Sequence, residues 1–257
     1  MSVLRLVLDR PDHKNALDAS TVRDLVRALE DAATDDSLRA ILVTGAGPDF
    51  CAGADWVASN RGSGTGGERP RAGSVQRRVP LEAHRLITLL LEVQLPVVCA
   101  VRGWAAGLGC QIALAADFTI AAKSSRFWLP FTQRGFTPDS GATWLLPRLI
   151  GVARAKELIL LGREVTGAEA AAWGMIHRAV PDDELDTAAE DLVSELAAGA
   201  TVALGLAKRA IHRSLDVGLA EALEHEAVAL ELAARTQDFK EGLRAFTERR
   251  PPTFEGP

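Results

Sequence analysis

Apolar and polar positions fall into two rhythms along this chain. Residues 1–9 (MSVLRLVLD) alternate with a period of two, which predicts a strand over 3–9. Residues 19–33 carry Val22, Leu25, Val26 and Leu29 at helical spacing and predict an amphipathic helix. The runs at 39–44 (RAILVT) and 97–101 (VVCAV) are continuously apolar, as expected of strands buried on both faces. A helix over 81–93 separates them, and a further strand is expected at 118–122 (FTIAA). Such β-then-α alternation predicts an α/β layered fold with parallel pairing. After about residue 139 the pattern turns mostly helical. Thr166 and Glu169 have the T-x-x-E spacing of a capping box, for a short helix ending near Trp173 and Gly174. Further helices are expected at 183–197, 202–215, 219–235 and 238–248, with Asp182, Asp183 and Glu184 suiting the dipole of the first. The expected division is an α/β core over 1–195 and a helical region over 196–257.

Composition narrows the function. A chain of 257 residues that is 47% hydrophobic and 25% charged is long enough for one sizeable core. A net charge of -5 and a pI near 5.6 argue against nucleic acid as a partner, because neutralising phosphates needs a basic face. No apolar run reaches membrane-spanning length and no signal-peptide pattern opens the sequence, so a cytoplasmic location with no membrane partner is expected. Cys51, Cys99 and Cys110 form no zinc pattern and sit in apolar surroundings, which reads as buried free thiols and no metal. Residues 58–80 (ASNRGSGTGGERPRAGSVQRRVP) bury almost nothing. Arg61, Arg69, Arg71, Arg77 and Arg78 lie there, with Arg85 just beyond. The segment reads either as a solvated loop or as a cover whose guanidiniums meet an anionic substrate.

Two places present backbone N–H groups after a strand. One is Phe50-Cys51-Ala52-Gly53-Ala54-Asp55, and the other is Ala106-Gly107-Leu108-Gly109, which opens the helix carrying Gln111. Unpaired N–H donors at such points suit a negative oxygen. A convergent pair would make an oxyanion hole, each donor contributing about 3–4 kcal/mol in a transition state. Either motif alone is better explained by small residues that let helices pack closely on strands.

Taken together, Arg10-Pro11-Asp12-His13-Lys14-Asn15-Ala16-Leu17, the two motifs above, Pro138-Asp139-Ser140-Gly141-Ala142-Thr143-Trp144-Leu145-Leu146-Pro147 and the tail Phe239–Pro251 resemble the crotonase (enoyl-CoA hydratase/isomerase) superfamily, in order and over essentially the whole chain. Within it, the stretch around Asp139 is most similar to the isomerase branch that includes the ring-opening phenylacetyl-CoA isomerase. The resemblance implies a spiral of ββα units with a helical C-terminal trimerisation region, as a trimer or a dimer of trimers. It implies an acyl-CoA substrate and no cofactor beyond that coenzyme A moiety. It assigns the oxyanion hole to the N–H groups of Ala52 and Leu108. It assigns coenzyme A binding to Asp12, His13, Lys14, Ala16, Ala54 and Asp55, and to Phe246 and Arg249 of a neighbouring subunit.

The chain departs from the hydratase pattern where proton transfer is decided. The two positions at which hydratases keep glutamates hold Gln111 and Phe131, neither of which exchanges a proton as a carboxylate does. Both are expected in the substrate pocket. Asp139 remains. From its neighbours it reads as the N-cap of a helix over 140–146; from the resemblance it reads as a working carboxylate, its pKa raised by an apolar pocket. His84 is read either as a partly exposed helix histidine or as the partner of Asp139, as in aroyl-CoA dehalogenases of the superfamily. Lys208-Arg209 and His212-Arg213 read as a solvated helical stripe, with contact to coenzyme A phosphate as the other reading. The expected activity is enoyl-CoA double-bond isomerisation with Asp139 as base. The alternatives are hydration, hydrolysis or dehalogenation through His84 and Asp139, and acyl-CoA binding without turnover. An RNA-binding role, also found in the superfamily, fits the acidic balance least.

Overall fold

A computed structural model describes residues 2–55, 73, 76–77 and 79–256. Five parallel strands form the main sheet: β1 (Ser2–Leu8), β2 (Leu38–Gly45), β3 (Val97–Val101), β5 (Phe118–Ala122) and β8 (Arg178–Val180), in that spatial order. A smaller sheet pairs β4 (Trp104–Ala106) in parallel with β6 (Arg126–Trp128), which pairs antiparallel with β7 (Val165–Thr166). Among the described residues the helices are α1 (Ala19–Ala32), α2 (Ala83–Glu92), α3 (Leu108–Ala115), α4 (Ala142–Leu161), α5 (Gly167–Ala172), α6 (Leu185–Ala197), α7 (Thr201–Ser214), α8 (Leu219–Ala233) and α9 (Gln237–Glu248).

The strand sequences explain the layering. Successive residues of β2 and β3 point to opposite faces, and both faces are covered. Ile41, Val43, Val97, Cys99 and Val101 join the core cluster that includes residues of α1, α2 and α3. Ala40, Leu42, Val98 and Ala100 meet Leu185, Ala189, Val193 and Ala197 of α6. A strand between two layers has no polar face, which is why these runs are continuously apolar. Helix α1 starts where Asp18 accepts from the Thr21 N–H at 2.9 Å, and it buries Val22, Leu25 and Leu29, with Val26 half-buried. The capping box at Thr166 and Glu169 is present with both of its bonds. All eight residues of α3 are buried, Gln111 included.

Two expectations are corrected. The helix after Asp139 starts at Ala142, because Ser140 (φ 45°) and Gly141 (φ 84°) are both left-handed, and Asp139 is not its cap. That helix runs on to Leu161 with a break at Gly151. Lys208 is not part of a solvated stripe: it is buried, and its ammonium donates to Asp117 at 2.7 Å and to the carbonyls of Leu90 and Leu95. The Arg- and Gly-rich segment lies largely outside the described residues, Arg61, Arg69, Arg71 and Arg78 with it. Arg85 is described, and its guanidinium pairs with Glu30 at 2.9 Å.

Candidate active site

The first N–H motif is held by a buried asparagine. Asn15 is 1% exposed; its amide donates to the carbonyls of Ala46 and Asp49 and accepts from the Arg10 N–H. Lys14 and Asn15 are both left-handed, so the chain turns back over the end of β2. The segment after β2 then pairs with the segment around β4. The Cys51 N–H donates to the Trp104 carbonyl and the Ala106 N–H to the Cys51 carbonyl, both at 2.8 Å. Gly53 (φ 92°) sits at the closest approach: a Cβ there would stand 2.6 Å from the Ala106 carbonyl oxygen and 3.3 Å from the Leu108 nitrogen. Gly109 has the same function one turn on, since a Cβ would meet Cys51 at 2.5 Å. The two motifs therefore touch, and only glycine fits where they do.

Which N–H groups remain free follows from the backbone bonds. The Ala52 N–H donates to the Lys14 carbonyl at 2.9 Å, so the donor assigned to Ala52 is already spent. The next residue but one, Ala54, is bridged to Leu17 through the Gly53 carbonyl and the Asp55 N–H, leaving its own N–H without a partner among the described residues. The Leu108 N–H is likewise without a partner among them, as the first donor of α3 must be. Ala54 and Leu108 both line one cavity, together with Gly53, Phe131, Phe136, Asp139 and Ser140. Two orphan donors at a cavity wall can receive one negative oxygen.

Asp139 faces that cavity from a half-buried position. Burial raises its carboxyl pKa above the usual carboxylate value, against the opposing pull of Ser140, His84 and Gln111. The Ser140 hydroxyl is buried near the carboxyl, without a hydrogen-bond partner of good geometry among the described residues. The main-chain carbonyl of Asp139 is fixed by two donors, the Ala142 N–H and the Gln111 side-chain amide. Gln111 thus braces the loop that carries Asp139 and does not line the cavity, contrary to expectation. Its Oε1 is buried without a partner among the described residues. Phe131 does line the cavity, with Phe136 edge-on to it at 5.6 Å. His84 is exposed on the first turn of α2 and is not among the lining residues. The thiols of Cys51 and Cys110 are pushed by burial up to about 12, and that of Cys99 higher still, which makes all three poor nucleophiles.

The turn expected to hold coenzyme A is assembled beside the cavity. Asp12 and His13 are exposed in a single 3₁₀ turn, Lys14 is exposed over the Trp104 ring, and the Ala16 carbonyl accepts from Arg10. Arg10 also faces Asp55 at 3.6 Å, which joins this turn to the Ala54–Asp55 pair. Phe246 and Arg249 are not brought to the cavity of their own chain: Phe246 stands 85% exposed on α9 and Arg249 caps that helix in a left-handed conformation. Sequence reasoning missed Asn15 as the brace of the turn, Ala54 as the free donor, and Arg134 in the cavity lining.

The sequence profile described as enoyl-CoA hydratase/isomerase matches residues 1–257. The chain belongs to that family. As a crotonase-superfamily enzyme it is 40% identical over 255 residues to the 1,2-epoxyphenylacetyl-CoA isomerase of Escherichia coli (strain K12), covering 99% of this chain and 95% of that one. It is 34% identical over 254 residues to the 2,3-dehydroadipyl-CoA hydratase of the same organism, again with 99% and 95% covered. The crystal structure of an enoyl-CoA hydratase from Bacillus anthracis superposes with a TM-score of 0.90 at 34% identity, covering 99% of this chain and 96% of that one. The architecture is accordingly the crotonase fold, a mixed α/β core with a parallel sheet and a helical C-terminal region. Among the described residues of this family member, no helix is long and apolar enough to cross a membrane.

Proposed function

We propose that this family member is an enoyl-CoA double-bond isomerase in which Asp139 is the base and the N–H groups of Ala54 and Leu108 hold the thioester oxygen. The carrying observation is that a carboxylate with a raised pKa and two unpartnered backbone donors line one cavity. In this reading the Asp139 carboxylate takes a proton from the α carbon of a 3-enoyl-CoA. The electron pair moves to the thioester oxygen, which the two donors stabilise as a dienolate. The protonated Asp139 then returns the proton to the γ carbon, leaving the 2-enoyl-CoA. One group that both removes and returns a proton suffices, and the raised pKa suits it to both steps. Phe131 and the absence of Gln111 from the lining favour this over hydration, which asks for further polar groups to orient water. The likeness to an epoxyphenylacetyl-CoA isomerase is in keeping with it.

Coenzyme A would lie on the Asp12–Ala16 turn with Ala54 and Asp55. Phe246 and Arg249 would reach it only from another subunit. The exposed Leu219, Leu223, Val228, Leu230 and Phe246 of α8 and α9 support assembly as a homotrimer, alone or paired. The test is a panel of a 3-enoyl-CoA isomerisation assay and a 2-enoyl-CoA hydration assay, run on the parent and on Asp139→Asn. Isomerisation is expected in the parent, falling by about a hundred-fold or more in the variant. Undiminished isomerisation in Asp139→Asn would remove Asp139 from the reaction.

A further inference from the structure

Four ionisable side chains among the described residues line the cavity: Asp18, Glu82, Arg134 and Asp139. Three are carboxylates, and two of these are already engaged. Asp18 accepts from Ser20 and from the Thr21 N–H and hydroxyl, and it faces Arg10 at 3.4 Å. Glu82 faces Arg23 at 3.5 Å. Asp139 is pushed by burial towards its neutral form. Arg134 differs from all three. Its guanidinium has no carboxylate within ion-pair distance among the described residues, and it lies over the Trp128 ring, 5.4 Å from the centroid.

The position of Arg134 is built and not incidental. Its N–H is held by the carbonyls of Pro130 and Phe131, and the turn is closed by Gly135 in a left-handed conformation. The Trp128 ring beneath it is fixed by its own N–H, which donates to the Gly162 carbonyl at 3.0 Å. Arg134 is exposed beside that indole with no carboxylate partner among the described residues, so its N–H groups are available to an anion. Arg134 stands exposed at the edge of the cavity that Phe131 and Phe136 line, where its permanent charge can meet an anionic end of a ligand.

We propose that Arg134 selects acyl groups that end in a carboxylate, so that the preferred substrate class is the mono-coenzyme A thioester of an unsaturated dicarboxylic acid. This rests on the acyl-CoA reading above, but it concerns the far end of the acyl group and not the reaction at its thioester end. The other source of an anion is coenzyme A itself. Arg134 shares its turn with Phe131, next in the chain to the Asp139 loop, and does not belong to the Asp12–Ala16 turn, which favours the acyl end.

The test compares hexanoyl-CoA with adipoyl-CoA, which differ by the terminal carboxylate and cannot react. Calorimetric binding to the parent is expected to favour adipoyl-CoA by about tenfold, in the range of a hydrogen-bonded charge pair. Arg134→Leu and Arg134→Gln should abolish that preference while leaving hexanoyl-CoA binding unchanged, and Arg134→Lys should restore part of it. Equal affinities in the parent would overturn the proposal. So would a loss in Arg134→Leu that weakens both ligands alike, since that marks contact with the coenzyme phosphates. The same pair as 3-enoyl thioesters, 3-hexenoyl-CoA and 3-hexenedioyl-CoA, separates this proposal from the isomerase reading. A binding preference without isomerisation of either would sink the isomerase and leave Arg134 standing.

Discussion

Asp139 is the residue at which local pattern and tertiary placement diverge. From its neighbours it reads as a helix cap, yet two left-handed residues separate it from the helix and free its side chain for the cavity. A serine at positive φ is uncommon, and no pattern in PDSGATW announces it. The raised pKa has two consequences of known sign. The carboxyl is held neutral more strongly in the folded chain than in the unfolded one. Folding stability therefore falls as pH rises from the ordinary carboxylate pKa to the folded one, and Asp139→Asn should remove that slope. Melting curves of the variant should match or exceed the parent at neutral pH; a marked fall would show that the ionised carboxylate supports the fold. The acid limb of kcat/KM in the parent should correspondingly lie above the usual carboxylate range. The choice between Ala52 and Ala54 was no more legible locally, because both flank Gly53. It is decided by the Lys14 carbonyl, a contact some forty residues away in sequence that spends the first N–H.

At the scale of elements, length governed what periodicity could report. The strands over 39–44, 97–101 and 118–122 were readable because a run between two covered faces is apolar at every position. Strands β4, β6, β7 and β8 have two or three residues each, too few to show any period. In helix α3 the first N–H is the proposed donor, while its side chains are all buried in the core. Proline is tolerated at the first helical position, where the N–H has no helical partner. Leu108→Pro should therefore keep the fold, judged by circular dichroism, and lose about a hundred- to a thousand-fold in kcat. Leu108→Gly retains the N–H and should retain most of the turnover. Equal rates for the two variants would exclude a role for that donor.

Across the whole molecule, the buried pair of Lys208 and Asp117 ties the C-terminal helices to the sheet. Asp117 also accepts from the Val97 N–H at 2.8 Å, so one carboxylate joins the start of β3 to α7. Lys208→Met leaves that carboxylate without its cation and should cost about 3–5 kcal/mol in chemical denaturation, with Asp117→Asn in the same chain recovering part of it. Additive losses would mean that the pair is not coupled. The sequence gives no hint of this link, because a lysine beside an arginine on a helix looks solvated until the other element is known. The order of layers, the family's motifs and the cavity's aromatic wall were legible; the long-range bonds that decide which groups are free were not. The indoles on this framework have an optical consequence. The chain contains no tyrosine, so its near-ultraviolet emission comes from its five tryptophans. Trp104, Trp128, Trp144 and Trp173 each lie against a cationic side chain. Trp128 is the one of these four whose cation lines the cavity, so if Arg134 holds an anion as proposed, the field across that indole changes and emission gives a label-free readout of occupancy.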